Sequence, residues 1–245
     1  MPATGAVLLI VFIASLIRST FGFGEALVAV PLLALIVPIN VAAPLAVLLS
    51  IVIAAVIVVQ DWRHIHLRSS LWLLISTFAG IPIGILLLRS AHPFAVKAAL
   101  GCLILLFSAY SLFGTSLPEL KVDTHGPLLA CGFLAGILGG AYGMNGPPLV
   151  IYGAMRRWSP QHFRATLQGY FLPASIVGAA GFRVAGLWTH TVTHLFVISA
   201  PAAIIATLLG RVINRRLHGE LFLRIVHACL LVAGAVLLVQ AIHRT

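Results

Sequence analysis

The sequence has very little charge: of its 245 residues only 8% are Asp, Glu, Lys or Arg, against roughly 25% in an ordinary soluble domain. This scarcity excludes a soluble globular protein, because a water-exposed surface needs far more charged side chains. Hydrophobic residues make up 61% of the chain, and the mean hydropathy is +1.12. A spanning helix needs about 20 apolar residues, so the chain has room for about seven to nine membrane spans with short loops.

Acidic residues are especially scarce, with 5 Asp and Glu against 15 Lys and Arg, which gives a formal net charge of +10. In a soluble protein this surplus would point to nucleic acid. In a membrane protein, however, basic residues collect in the cytoplasmic loops. We therefore predict a multi-pass protein of the cell (inner) membrane, whose surroundings are the lipid bilayer and which binds no nucleic acid.

Cysteine is scarce as well, and Cys102, Cys131 and Cys229 lie far apart inside apolar runs. Their spacing offers neither a disulfide framework nor a zinc site. His190 and His194 are spaced as two ligands on one helix face, but no third ligand is near them in the sequence, so we interpret them as interfacial residues. The sequence predicts no metal and no cofactor.

Eight apolar blocks follow one another along the chain, at about 5–37, 41–60, 69–88, 94–113, 126–155, 165–182, 191–210 and 220–241. No basic residue precedes the first block, which indicates a true first helix rather than a cleavable signal. The first and fifth blocks would be about 45 to 50 Å long as continuous helices, against a hydrocarbon core of about 30 Å. Each is therefore predicted to break at its glycine-rich cluster, residues 20–25 and residues 139–148.

The two glycine clusters align with one another at a separation of about 121 residues. Later landmarks recur at a similar offset, such as Pro82 with Pro201. Self-similarity of this kind is typical of transporters built from repeats. The sequence thus predicts two homologous transmembrane halves, 1–114 and 126–245, joined by a polar linker at 115–125.

The orientation of the halves follows from the positions of Lys and Arg. If each broken block returns to the side that it enters, ten basic residues share one side and three the other, which is the bias expected of cytoplasmic loops. Both termini would then lie outside. The predicted fold class is an all-α integral membrane protein of two inverted repeats, each of about four helical segments, with the first segment of each half broken at a glycine-rich motif.

The breaks mark the predicted site. Non-helical backbone at mid-depth in a bilayer survives only where it is buried in protein or lines a wet cavity. Half-helices that begin at such breaks expose free N–H groups and a positive dipole end, and both favour anions. Recurrence in both halves favours a site role for Gly22, Gly24, Gly143 and Gly146. Other glycines, at a four-residue spacing, are interpreted as helix-packing positions: Gly80, Gly84, Gly132, Gly136 and Gly140.

Glu25 is the acidic residue well inside an apolar block, so its burial needs a partner, a wet cavity or protonation. Two interpretations stay open. As a proton-coupling group, Glu25 would bind and release a proton, because burial favours the protonated form of a carboxyl group. As a cap it would face the positive end of the second half-helix. Arg18 and Arg183 lie at or near block ends and are interpreted as reaching the lipid headgroups rather than an anion.

The motifs themselves carry a resemblance. The first half contains Gly22-Phe23-Gly24 followed by Val30-Pro31, and the second contains Gly143-Met144-Asn145-Gly146-Pro147, then Leu149 and Tyr152, then Arg164-Ala165-Thr166. These motifs resemble those of the TauE/SafE sulfite exporter family, and the resemblance covers both halves. It implies an integral membrane transporter of two homologous halves that exports sulfite, sulfonates or related small anions.

We therefore predict a secondary transporter, not an enzyme, that exports a small anion by alternating access and is open to proton coupling. The sequence contains no GxxxxGK[ST] loop for ATP. An anion channel and a carrier of a small carboxylate stay open as alternatives. A homodimer also stays open, because apolar surface everywhere hides any interface.

Each candidate residue has an expected role. Main-chain N–H groups around Gly24, Asn145 and Gly146 would hold the anion, and the Asn145 side chain would add a donor. Glu25 would gate or couple protons, and Arg164 would draw anions to the cytoplasmic mouth, with Gln168 one helical turn further on the same face. The full set of predicted substrate-binding residues is Gly22, Gly24, Glu25, Gly143, Asn145, Gly146, Pro147, Arg164 and Gln168.

Overall fold

A computed structural model describes residues 2–61, 67–90, 93–113, 120, 125–156, 160–214, 235 and 239. These residues form nine helices and, within the same ranges, no strand. In chain order the helices are α1 (Pro2–Phe21), α2 (Glu25–Ala34), α3 (Ile39–Asp61), α4 (Leu67–Ser90), α5 (Pro93–Phe113), α6 (His125–Tyr142), α7 (Gly146–Met155), α8 (Pro160–Val184) and α9 (His190–Asn214).

The helices follow the apolar blocks of the sequence. Four of them contain stretches long and apolar enough to cross a membrane: Thr4–Phe21, Ile39–Gln60, Leu71–Ser90 and His190–Ile213. The predicted all-helical, multi-pass membrane class is thereby confirmed. The eighth block, 220–241, falls outside the described residues except for positions 235 and 239.

The first and fifth blocks each hold two helices. α1 ends at Phe21 and α2 begins at Glu25, while α6 ends at Tyr142 and α7 begins at Gly146. The intervening turns, 22–24 and 143–145, are called the first and second turn below. α2 and α7 have 10 residues each, which is about 15 Å of helix, or half of a hydrocarbon core of about 30 Å. Both are therefore half-helices by length.

Glycines allow the backbone conformation of both turns. The φ angles of Gly22 and Gly24 in the first turn are 85° and 98°, and that of Gly143 in the second turn is 69°. Glycine adopts such positive φ angles without a steric penalty, whereas a residue with a Cβ is strained there. The glycines thus let the chain leave one helix and start the next within three residues.

The most extensive helix contacts are between α4 and α6, and glycines make their close approach possible. A Cβ added at Gly80 would lie 2.8 Å from the main-chain nitrogen of Ile137, and one added at Gly84 would lie 2.7 Å from that of Ala141. The Thr77 hydroxyl donates a hydrogen bond across the same contact, 2.8 Å from its acceptor, the Gly132 carbonyl. The interpretation of the regularly spaced glycines as packing positions is confirmed.

The contact between α1 and α9 is the next most extensive, and it has a similar character. A Cβ added at Gly210 would lie 2.9 Å from the Leu16 carbonyl oxygen. The Ser19 hydroxyl donates to the Thr207 carbonyl oxygen at 2.5 Å. Small residues and hydroxyls at an interface are how helices associate in lipid, where apolar burial gives little drive.

α3 and α8 connect these two helix pairs. α3 packs on α8 and α9, and α8 packs on α3 and α4. In α3, 67% of the residues in the spanning window are buried, against 44% in α1, 44% in α4 and 33% in α9. α3 is thus the most enclosed of the four candidate spans, and its Ser50 side chain is buried within the protein.

Candidate functional site

The two turns meet at a small, partly open cavity. Residues of α1, the first turn, α2 and α3 line it from one half of the chain, and residues of the second turn, α7 and α8 from the other. The lining residues are Arg18, Phe23, Gly24, Glu25, Ala26, Leu27, Ser50, Gly143, Met144, Asn145, Gly146 and Phe171. The cavity is therefore shared by both predicted halves.

A buried ion pair forms the charged wall of the cavity. Arg18 lies in the last turn of α1 and Glu25 is the first residue of α2, so the first turn brings them together. The Arg18 Nη1 donates to Glu25 Oε2 at 2.5 Å and to Ser50 Oγ at 2.6 Å. The side chains of Arg18 and Glu25 are only 3% and 2% exposed. Isolated buried charges cost several kcal/mol each, and this pairing offsets part of that cost.

The interpretation of Arg18 as a headgroup contact is wrong. Its guanidinium turns into the protein because it forms hydrogen bonds with Glu25 and Ser50 there. Its position near the end of an apolar block does not by itself indicate this direction. Arg183, the other basic residue given that interpretation, is exposed at the end of α8, and its guanidinium carbon lies 5.7 Å from the centre of the Trp188 ring.

The helix α8 completes the surroundings of the ion pair. The Gln168 Oε1 accepts from Arg18 Nη2 at 3.4 Å, and the Gln168 Nε2 donates to the Gly22 carbonyl oxygen at 2.8 Å. The centre of the Phe171 ring lies 4.8 Å from the Arg18 guanidinium carbon, within the range of a cation–π contact. Ser175 donates to Ser50 at 3.0 Å. The second half of the chain thus contacts the cation of the first.

Two atoms of the ion pair retain hydrogen-bonding capacity. Within the described part of the chain, Arg18 Nε and Glu25 Oε1 are buried without a hydrogen-bond partner. Buried polar atoms nearly always have partners, and charged ones carry the largest penalty when they do not. The ion pair therefore has an unused donor and an unused acceptor.

The wall formed by the second turn is polar but uncharged. The Asn145 Nδ2 donates to the Tyr170 hydroxyl at 3.5 Å, and that hydroxyl is 2.7 Å from Thr77 Oγ1. Tyr170 is fully buried and Asn145 is 7% exposed. The amide of Asn145 is therefore hydrogen-bonded to α8, through a hydroxyl that α4 also contacts.

The two half-helices differ in the donors that they present. The first hydrogen bond of α2 runs from the Val28 nitrogen to the Gly24 carbonyl, so the N–H groups of the three residues before Val28 have no partner within the helix. In α7 the second and third residues are Pro147 and Pro148, which have no N–H group. The N-terminal end of α2 thus offers more main-chain donors than that of α7.

The structure brings most of the predicted residues together. Gly24, Glu25, Gly143, Asn145 and Gly146 line the cavity, while Gly22 and Gln168 are hydrogen-bonded to each other just behind it. Pro147 is buried near the N-terminal end of α7 and does not line the cavity. Arg164 belongs to α8, and its side chain lies outside the part of the chain that the structure describes.

Sequence reasoning missed Ser50 and Phe171 and misjudged Arg18. A signal for Arg18 is present, because it is a basic residue close to Glu25 in the same apolar block. A lone base and a lone acid in one apolar block favour a pair. No comparable signal marks Ser50 or Phe171, since they reach the site from separate helices.

These features define a multi-pass α-helical membrane protein with a buried, charged cavity between two broken helices, an arrangement typical of transporters. The sequence model of the family described as "Sulfite exporter TauE/SafE" matches residues 7–238. The chain therefore belongs to the TauE/SafE family of membrane transport proteins, and the resemblance seen in the motifs is confirmed.

The chain is also similar to a curated protein named "Probable sulfite/organosulfonate exporter TauE" from Cupriavidus necator. The two are 27% identical over 188 residues, which cover 74% of this chain and 70% of the relative. No solved structure matches the chain.

Proposed function

We propose that this protein is a secondary transporter that exports a small sulfur oxyanion, sulfite or an organosulfonate, across the cell (inner) membrane. The observation that carries the proposal is the buried Arg18 in a cavity between two broken helices, in a chain that belongs to a sulfite exporter family. The name of the Cupriavidus relative supports the same class of substrate.

The chemistry of the cavity suits an oxyanion. A guanidinium is a planar fork of donors that matches the oxygens of carboxylate, phosphate and similar groups. The N-terminal end of α2 adds main-chain donors and the positive end of a helix dipole. Gly24 and Gly146 have no side chains, so an anion can approach the main chain closely from both halves.

Helix pairing supports two related halves, 1–114 and 126–245. If the first half is matched to the second in order, α1 corresponds to α6, α3 to α8 and α4 to α9. The contact of α1 with α9 then corresponds to that of α6 with α4, and the contact of α3 with α9 to that of α8 with α4. α3 and α8 contact each other. A two-fold axis between inverted repeats would produce this reciprocal pattern.

Reciprocal halves around a central site favour alternating access. In such transporters one repeat moves against the other while the substrate stays near the midplane. The cavity has both halves in its lining, so relative movement of the halves would open it to one side at a time. Glu25 is the proposed proton-coupling group, because it is the one acidic residue among the described residues that line the cavity.

Flux measurements on the purified protein in liposomes test the proposal. The panel is sulfite, ethanesulfonate, sulfate and acetate, each supplied inside the vesicle with and without the same anion outside. We expect saturable efflux of sulfite or ethanesulfonate that is accelerated by the external anion, as a carrier requires. Acetate flux without a sulfite or sulfonate response would contradict the substrate class, and single-channel currents would contradict the carrier.

A further inference from the structure

We propose that Glu25 is a built-in competitor of the transported anion for Arg18. The carboxylate holds the guanidinium when no anion is bound, and the anion replaces it only when Glu25 takes up a proton. Anion and proton therefore bind together. This inference rests on the proposed function, because it concerns the same cavity and the same substrate class.

The ion pair leaves part of the guanidinium unused, so that donors are available to an anion that replaces Glu25. Glu25 uses one oxygen, Oε2, and contacts one guanidinium nitrogen, Nη1, which it shares with Ser50. The opposite edge of the guanidinium carries one long bond, 3.4 Å from Nη2 to Gln168, and the Nε atom has no partner among the described residues. A two-oxygen contact with an oxyanion needs this Nε and Nη2 edge.

A carboxylate and a sulfonate are alternatives for the same donor group. Both present negatively charged oxygens to a guanidinium, and Arg binds either type of group through paired hydrogen bonds. Glu25 contacts Arg18 through one oxygen only, whereas a sulfonate or sulfite has three. The incoming anion can thus replace the carboxylate contact with more hydrogen bonds than it removes.

The charge of the cavity explains why a proton must follow. Among the described residues that line it, Arg18 and Glu25 are the charged ones and they sum to zero. The side chains that face the pair from α3, α8 and the second turn are neutral, namely Ser50, Gln168, Phe171 and Asn145. α5 also packs on α2, but no described residue of α5 lines the cavity. Two buried phenols lie beside the second turn: Tyr170 contacts Asn145, and Tyr142 directly precedes Gly143.

A monovalent anion in this cavity would leave one uncompensated negative charge if Glu25 stayed ionised. Uncompensated charge in a low-dielectric interior costs several kcal/mol. Protonation of Glu25 removes that charge, since the proton from solution converts the carboxylate to a neutral carboxyl group. Binding of the proton and of the anion are then linked, and each strengthens the other.

The linkage also fixes the charge moved in one transport cycle. The unloaded cavity holds the Arg18 and Glu25 pair, and the loaded cavity holds Arg18, a monovalent anion and a neutral Glu25. Both are neutral overall. Efflux of a monovalent sulfonate is therefore expected to respond to a pH gradient and not to a membrane potential.

Equilibrium binding of ethanesulfonate to the purified wild-type protein tests the inference. This probe keeps one negative charge throughout the range of about pH 5.5 to 7.5. We expect its affinity to rise on acidification, by up to about tenfold per pH unit, which is the limit for one linked proton. In weakly buffered solution near neutral pH, about one proton should be taken up per anion bound. An affinity that is constant or falls on acidification would overturn the inference, and so would binding without proton uptake.

The Glu25→Gln variant separates competition from a merely structural role. It leaves the Arg18 charge without its competitor, so near pH 7.5 we expect ethanesulfonate to bind at least about tenfold tighter than in the wild type, with no pH dependence. Persistence of the wild-type pH dependence, or loss of binding in a folded variant, would overturn the inference. The proton-uptake measurement on the wild type decides the question even if this variant does not fold.

Two further variants serve as controls. The double variant Arg18→Gln with Glu25→Gln has no buried charge at this site and should fold without binding the sulfonate. Arg183→Gln removes an exposed arginine outside the cavity and should keep the wild-type pH dependence. If the wild type neither binds nor transports sulfite or ethanesulfonate at any pH, the proposed function itself fails. Transport with pH-independent binding would reject only the competition.

Discussion

The two helix breaks share a backbone and differ in chemistry. Each has glycine at positive φ and begins a half-helix of 10 residues. The first turn is followed by Glu25, which pairs with the buried Arg18. The second turn carries Asn145, which is held by the neutral hydroxyl of Tyr170, and it is followed by Pro147 and Pro148.

Two turns with similar backbones thus carry different charges. Two ion pairs around one small cavity would double the charge that must be desolvated. Here one wall supplies the cation, its counter-ion and most of the free main-chain donors. The other allows close approach to the main chain and supplies an amide that is hydrogen-bonded to Tyr170. On the proposed function, the first wall determines the affinity for the anion, and the second determines the shape of the space that the anion occupies. The predictions below test that division.

The largest effect is expected from removal of the cation. Arg18→Gln should lower the apparent affinity for ethanesulfonate efflux from liposomes by at least about thirtyfold, because loss of a buried charge contact costs about 2 to 5 kcal/mol. Arg183→Gln removes an equally basic side chain from an exposed position and should leave the efflux unchanged. Equal losses in both variants would show that general positive charge, rather than the cavity, attracts the anion.

Adding charge to the neutral wall should have the next largest effect. Asn145→Asp places a carboxylate beside the site, and like charges in contact cost several kcal/mol, so sulfonate efflux should fall at least about tenfold near neutral pH. Asn145→Ala removes an amide that Tyr170 already engages and should cost only about threefold. Efflux is measured at matched amounts of reconstituted protein. If the alanine variant were as impaired as the aspartate variant, Asn145 would be a direct anion ligand.

A smaller effect is expected from filling the cavity. A Cβ added at Gly146 would have no heavy atom within 4 Å, although the residue is buried and lines the cavity. Gly146→Ala should therefore leave thermal stability unchanged or slightly raised, because Ala favours helix over Gly. Its efflux should slow several-fold, more for ethanesulfonate than for the smaller sulfite.

The matched control for this variant is Gly126→Ala. Gly126 also precedes a proline near the start of a helix and also has no atom within 4 Å of an added Cβ, but it is exposed and lies outside the cavity. We expect wild-type efflux from it. Unchanged efflux of both anions in Gly146→Ala would argue that substrate does not occupy the space beside the second turn.

The smallest effect on transport is expected from Tyr170→Phe. The change removes the hydroxyl that contacts Asn145 and Thr77, and a typical hydrogen bond contributes about 1 kcal/mol. Thr77 keeps its bond to Gly132. We expect thermal stability to drop by a few degrees, in keeping with about 1 kcal/mol, and efflux to stay within about threefold of the wild type. Abolished efflux with wild-type stability would instead give the phenol a direct role.

Much of the fold was predictable because the signals that determine it are local. Apolar runs of about 20 residues give the spans, and glycine pairs four residues apart give close helix contacts. α1 and α6 end next to Gly22 and Gly143 in the two clusters, where positive φ angles favour glycine over every other residue.

The composition of the site was less predictable because it depends on long-range contacts. Arg18 was assigned to the headgroups, since position in a block does not tell which way a long side chain turns. Ser50 and Phe171 come from α3 and α8, and only the packing of those helices brings them to the first turn. The asymmetry between the two walls is partly local, because Glu25, Pro147 and Pro148 are visible in the sequence. The partners of the two walls, Arg18 and Tyr170, are known only from the fold.

On the proposed function, the transported anion binds to Arg18, between the two turns. The most direct test is a crystal structure of the protein with selenite, the selenium counterpart of sulfite, located by anomalous scattering. We expect selenite oxygens within hydrogen-bonding distance of the Arg18 guanidinium, with the ion between Gly24 and Gly146 and with Glu25 no longer in contact with Arg18. Selenite bound elsewhere, with the Arg18 and Glu25 pair intact in a protein that transports it, would show that Arg18 is not the anion site.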